Sequence, residues 1–279
     1  MKLNSILLIP LIMGLLTLAV WSGWNVWTTN GSLAWVGAFL ATAPLPSFLF
    51  GVLAITRPAR TSARLPLYQL VTLVGASLAA YAVFSGSAGA TPLVVAIAGV
   101  LILQWYVRIY SSYGRKKSAA ITIGKPLPEL AFETIDGEPV SSADFKGSPT
   151  LLVFFRGNWC PLCMAQFKEI RDRADRLAKA GVQVKFISNQ SAEKSHELDK
   201  KMSLPSHFQM LVDKNLSAAK GLSIEDMGGT PFGLPGYPKD TVMATVIALD
   251  AGGAVLFGDE TDNYRVRPRP DTFFHVFEA

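Results

Sequence analysis

The chain has no aspartate or glutamate before Glu129; all 21 acidic residues lie in the last 151 of its 279. A stretch that long without acids cannot carry carboxylate acid–base chemistry or a carboxylate metal site, and it is no soluble domain surface. Histidine is scarce and scattered, at His196, His207 and His275, and cysteine is limited to Cys160 and Cys163. A structural zinc site needs four ligands, usually two cysteine pairs or cysteines with histidines at knuckle spacing. One pair and three distant histidines do not supply them, so no metal or other cofactor is expected. The chain is too poor in cysteine for a disulfide scaffold, and a bridge closing so short a loop removes little chain entropy. Basic residues are uneven as well: eight Lys or Arg fall in the first 117 residues, and the other 18 accompany the acids. The sequence pI of about 9.2 thus belongs to the apolar half and its flanks. The second half shows no basic stripe with interleaved aromatics, which excludes nucleic acid as an expected partner.

What the first half does contain is apolar length. Ile6–Trp27, Leu33–Thr56, Pro66–Phe84 and Pro92–Tyr110 each reach the roughly 20 residues that cross a bilayer. Trp24, Trp27, Trp35, Trp105, Tyr106 and Tyr110 sit near their ends as interface anchors. Pro44-Leu45-Pro46 should kink the second span, and Gly75, Ala76, Ala79, Ala80 and Gly99 offer close helix contacts. Lys2, then Arg57, Arg60 and Arg64, then Arg108, Arg115, Lys116 and Lys117 mark three positive flanks, while the loops 28–32 and 85–91 are uncharged. The expectation is a multi-pass protein of the cell (inner) membrane, in contact with membrane lipid, with both termini cytoplasmic. A signal peptide is the rival for the first span, but no small-x-small cleavage site follows it closely. The spans hold no Asp, Glu, Lys, His or Cys, and Gln69 and Gln104 are their main large polar side chains. They read as an anchor, with small-molecule or lipid binding in the bundle left open.

The two cysteines lie in Phe155-Arg156-Gly157-Asn158-Trp159-Cys160-Pro161-Leu162-Cys163. The apolar run Thr150–Phe155 before them reads as a buried strand, and Met164–Ala180 after them as a helix. Cys160 then sits at a helix start, where free backbone N–H groups and the dipole favour a thiolate. Pro161 suits the first turn. One turn on, Cys163 returns to the same side, giving an exposed, activated first thiol and a shielded second one. This is a two-electron thiol–disulfide couple. The competing reading is a pair of inert buried cysteines.

From Ser111 to Gly124 the chain reads as a polar, basic linker. Beyond it, strands are expected at Leu130–Thr134, Pro139–Val140, Val182–Ser188, Phe208–Val212, Met243–Leu249 and Ala254–Gly258. Helices are expected at Ser191–Met202, Asn215–Gly221 and Asp271–Glu278, with one helical turn at Ser142–Phe145. Met227–Asp240, punctuated by Pro231, Pro235 and Pro238, is a long loop of the kind that lines sites. The pattern predicts an α/β sandwich over residues 118–279 behind a membrane bundle of four spans over 1–117.

With these residues in place, the second half resembles the thioredoxin-like superfamily. Within it, the chain is similar to the peroxiredoxin-like branch of the alkyl hydroperoxide reductase and thiol-specific antioxidant family. The likeness rests on the cysteine motif and on Asp262-Asn263-Tyr264-Arg265-Val266-Arg267-Pro268, and covers roughly residues 123–279. It implies a thioredoxin-like fold and a thiol-dependent oxidoreductase in which Cys160 attacks and Cys163 resolves. Trp159 would pack beside the disulfide or serve as ordinary core. Arg156 would stabilise the thiolate or form a surface ion pair, and Tyr264 and Arg267 would frame the site or tie down the last helix. Two positions depart from the pattern. Gly157 stands where peroxiredoxins carry a Thr three residues before the attacking cysteine, and Ala244 stands at the cis-proline position of thioredoxin-like folds. Ala244 should be trans, since a non-proline cis bond costs about 3 kcal/mol. The resemblance thus implies disulfide exchange first and hydroperoxide reduction second, with a redox-sensing or scaffold module as a third reading. Implied partners are a protein disulfide or a peroxide, and a reductant of the thioredoxin or glutathione type.

Overall fold

The computed structural model describes residues 3–231 and 234–278. Lys2, invoked above as a flanking charge, lies outside the described residues, as do Phe232 and Gly233 of the long loop. Two compact units divide at Ser112/Tyr113.

In the first unit, α1 (Leu3–Thr28), α2 (Leu33–Thr42), α4 (Pro66–Phe84) and α5 (Thr91–Trp105) are apolar helices. Between α2 and α4 come the single turn α3 (Pro44–Pro46) and a π-helical stretch, Ser47–Thr56. The prolines cause this change, because each lacks an N–H for the helical ladder. Four helical stretches, Leu3–Thr28, Leu33–Thr56, Pro66–Phe84 and Thr91–Tyr110, are long and apolar enough to cross a membrane. Small residues set their spacing. A Cβ on Gly37 would lie 2.5 Å from the Ala79 nitrogen, and one on Gly75 would lie 2.6 Å from the Ala41 nitrogen. The backbones of α2 and α4 therefore meet directly, as the Gly and Ala pattern led one to expect. The two glutamines also find each other: Gln104 Nε2 donates to Gln69 Oε1 at 3.2 Å. Beside the proline turn, a cavity of about 260 Å³ is lined by Leu40, Ala43, Pro44, Ser47, Leu67, Tyr68 and Val71.

The second unit is built on a seven-stranded sheet of order β2-β1-β5-β4-β3-β8-β9. Its strands are β1 (Ala131–Thr134), β2 (Pro139–Ser141), β3 (Thr150–Phe154), β4 (Gln183–Ser188), β5 (Phe208–Val212), β8 (Thr245–Leu249) and β9 (Val255–Asp259). β3 runs parallel to β4 and antiparallel to β8, and all five β3 residues are buried, as a strand covered on both faces requires. A short pair, β6 (Glu225–Asp226) with β7 (Thr241–Val242), stands apart from it. The helices are α6 (Pro161–Arg171), α7 (Ala174–Lys179), α8 (Ala192–Met202), α9 (Ser217–Gly221) and α10 (Pro270–Phe274). Ser191 caps α8, accepting from the Lys194 N–H as its position suggested.

Two expectations need correction. The single helix Met164–Ala180 is two, broken where Arg173 leaves helical geometry (φ −114°, ψ 18°). The basic linker is also not free. The Tyr113 N–H donates to the Asp262 carbonyl at 2.8 Å, and the Arg115 N–H donates to Asp262 Oδ1 at 2.8 Å. The Arg115 guanidinium, its side chain 2% exposed, pairs with Glu260 at 3.6 Å. Glu260 and Asp262, after β9, hold Tyr113, Arg115 and Ser118 in the α/β unit.

Candidate active site

The site grows from the end of β3. Phe155 still pairs, its N–H donating to the Ile187 carbonyl at 2.9 Å, and then the chain turns. Gly157 takes φ +139°, a conformation that side chains disfavour, and a Cβ there would lie 2.8 Å from Trp159 Nε1. A threonine therefore does not fit at 157. The turn closes with the Cys160 N–H on the Gly157 carbonyl (3.1 Å), and Cys160 becomes the N-cap of α6 with Pro161 at its first position.

Both cysteines are free thiols and both are buried, each 2% exposed. This overturns the picture of an exposed Cys160 thiolate. As N-cap, Cys160 accepts no hydrogen bond from the helix amides, so it gains nothing specific from them. Its hydrogen bond to Cys163, and then burial, push its pKa well above the usual thiol value. Cys163 goes the other way. Burial opposes its ionisation, but the Cys160 hydrogen bond, the Arg267 charge, the Arg156 backbone N–H and the Arg156 charge together lower it to about 5. Arg267 Nη2 donates to the Cys163 sulfur at 3.5 Å. The surroundings thus favour the proton on Cys160 and the negative charge on Cys163.

The surroundings converge from distant parts of the chain. Arg156, 5% exposed, donates from Nη2 to the Gly229 carbonyl at 2.6 Å and lies 3.6 Å from Asp226 Oδ2. Its guanidinium carbon is 4.8 Å from the Trp159 ring centroid, 5.3 Å from that of Tyr264 and 6.0 Å from that of Tyr113. Thr241 donates to the Arg156 carbonyl at 2.8 Å. Arg156 is therefore not a surface ion pair, and Trp159 packs over a guanidinium rather than in the core. Arg267 Nε donates to the Tyr264 carbonyl at 3.0 Å, which fixes it toward Cys163. Ala244, next to the start of β8, is buried, and no cis peptide occurs among the described residues. Its N–H donates to the Tyr113 hydroxyl at 3.2 Å. Gly229 lies in the loop Met227–Asp240, expected to line a site, whereas sequence reasoning missed Tyr113, Asp226 and Thr241. None has a local signal, since each acquires meaning only through a partner far along the chain.

A family model described as the AhpC/TSA family matches residues 123–251. Peroxiredoxin Bcp of Escherichia coli K12 is 35% identical over 144 residues, 50% of this chain and 88% of that protein. The chain belongs to the AhpC/TSA family. Its second unit is a peroxiredoxin-like domain, and the protein is a thiol-dependent oxidoreductase. The chloroplastic peroxiredoxin Q of Sedum lineare is 34% identical over 129 residues, 45% of this chain and 68% of that one. The match to the Oryza sativa japonica peroxiredoxin Q is 32% identical and spans 60% of that protein's length. The solved structure of peroxidoxin BcpB from Mycobacterium tuberculosis aligns over 57% of this chain and 97% of its own, at 18% identity and a TM-score of 0.46. Tyr113 precedes the region that the family model matches, and Tyr264 and Arg267 follow it.

Proposed function

We propose that this AhpC/TSA family member is a membrane-anchored thiol peroxidase in which Cys163 attacks the hydroperoxide and Cys160 resolves. The observation that carries the assignment is the buried Cys163 sulfur, hydrogen-bonded by Arg267 Nη2 and by the Cys160 thiol. This reverses the roles that the motif suggested. It also removes the departure at Gly157. Counted from Cys163, the residue three places back is Cys160, whose S–H stands where the threonine hydroxyl would be.

The Cys163 thiolate attacks the terminal oxygen of ROOH. The O–O bond breaks, Cys163 becomes a sulfenic acid, and RO⁻ leaves with the proton of Cys160 to give ROH. Cys160, now a thiolate, attacks the Cys163 sulfur and expels hydroxide, which solvent protonates to water. Two electrons pass from the dithiol to the peroxide, leaving a Cys160–Cys163 disulfide. An external dithiol or glutathione-type reductant restores it.

The test uses the full chain, reduced, in detergent with excess hydrogen peroxide. Loss of both thiols far faster than in free cysteine, and its disappearance in Cys163→Ser, is expected. In Cys160→Ala a sulfenic acid should accumulate on Cys163, trapped by dimedone. Thiol loss no faster than in free cysteine sinks the peroxidase reading and leaves disulfide exchange.

A further inference from the structure

Tyr113 stands three residues past Tyr110, the end of the last apolar helical stretch, and before the region shared with the family. It is nevertheless part of the dithiol site. Its own N–H is held by the Asp262 carbonyl, and the following Arg115 donates from Nη2 to Thr245 Oγ1 at 3.1 Å. Its hydroxyl accepts the Ala244 N–H, and its ring is one of three around Arg156. Burial is the largest influence on the Tyr113 hydroxyl and raises its pKa, so it stays neutral. The layering is consistent. Cys160, Cys163, Arg156 and Arg267 are buried, while Tyr113, Trp159 and Tyr264 are each partly exposed and form the outer face.

The Ala244 amide is the informative group. Thr245 begins β8 and pairs with Phe154 at the end of β3, so Ala244 lies beside the turn that carries the cysteines. β8 pairs with β3 and, only from Val246 on, with β9, so the Ala244 N–H lies beyond the β9 ladder, where the carbonyl of an extended peptide adding a strand would accept from it. A proline at this position would have no N–H to offer; alanine has one. Here the Tyr113 oxygen takes the place of the peptide carbonyl.

Taking Cys163 as the reactive thiolate, we infer that Tyr113 is a specificity-determining residue of this site. It closes the Ala244 edge to extended peptide disulfides and leaves the dithiol to small hydroperoxides. The chain thereby carries its own occupant of the peptide edge, delivered by the segment that leaves the last apolar helix.

The test compares access, using the full chain in detergent at neutral pH. Wild type, Tyr113→Phe and Tyr113→Ala are reduced and labelled in parallel with iodoacetamide and with a maleimide bearing a polyethylene glycol chain. Both reagents consume the same thiolate, so the ratio of bulky to small labelling rates cancels any change in thiolate fraction. Tyr113→Ala should raise this ratio by about tenfold, the equivalent of about 1.4 kcal/mol. Tyr113→Phe keeps the ring but leaves the Ala244 N–H without its acceptor, and should raise the ratio by a smaller factor. If Tyr113→Ala does not fold, Tyr113→Phe decides. An unchanged ratio in the folded variants overturns the inference, as does a lowered thermal midpoint with both rates rising together. If wild type fails to consume peroxide, the peroxidase reading falls while the labelling ratio still decides the role of Tyr113.

Discussion

At the scale of single residues, the site is governed by where one proton and two guanidinium groups lie. Cys163 is depressed to about 5, so its thiolate persists above that value and is lost as pH falls through it. Labelling by iodoacetamide should therefore be flat around neutrality and fall off near pH 5. Arg267→Ala removes the charge nearest the sulfur. An opposite charge at such range is worth about 1–3 pH units, so the midpoint should climb by about that much. An unmoved midpoint would remove Arg267 from the account. Gly157 is constrained differently, by φ +139° and by the Trp159 ring. Gly157→Ala should cost about 1–3 kcal/mol of stability through backbone strain, read as a lower thermal midpoint. Most of these residues were legible in the cysteine motif and its downstream partner: Cys160, Cys163, Arg156, Trp159, Tyr264 and Arg267 do meet. On the order of the thiols the motif and the surroundings of the pair point different ways. Helix position suggested one answer, and the donors contributed by Arg267 and by the Arg156 backbone support the other.

At the scale of elements, the short helix α9 shows how distant parts of the site are held. Buried Asp213 accepts from the N–H groups of Ala218 and Ala219 at 2.9 and 2.8 Å. Leu216, Ala218, Ala219, Leu222 and Ile224 then join the core, and the chain continues directly into β6 with Asp226. Asp213→Ala should cost about 1–2 kcal/mol by removing these caps, lowering the thermal midpoint of the α/β unit in a circular dichroism melt. No change would mean that packing alone holds α9. Strand and helix positions along this unit were readable because periodicity and caps are local. The β6–β7 pair was not, since two residues on each side carry no pattern. The break between α6 and α7 was hidden by charge that continues across it. Arg176 beyond the break is engaged with Asp271 at 3.1 Å and Glu278 at 2.6 Å.

At the scale of the whole molecule, the prediction concerns the four apolar helices. Each is long and apolar enough to span a bilayer, and an anchored protein should stay in the membrane fraction through an alkaline carbonate wash. Recovery in the wash supernatant would end the anchoring proposal.

The division of labour between sequence and structure follows from range. Apolar length, helix caps, strand periodicity and the spacing of two cysteines are local properties. They alone determined the apolar bundle, the α/β unit and the dithiol. Which thiol holds the charge depends on Arg267, 104 positions from Cys163. Whether Tyr113 is linker or site depends on Ala244, 131 positions away. Only the tertiary structure, by folding the segment after β9 back onto the cysteine turn and setting the start of β8 beside it, brings these groups together, and ionisation and access are set by what surrounds a group in space.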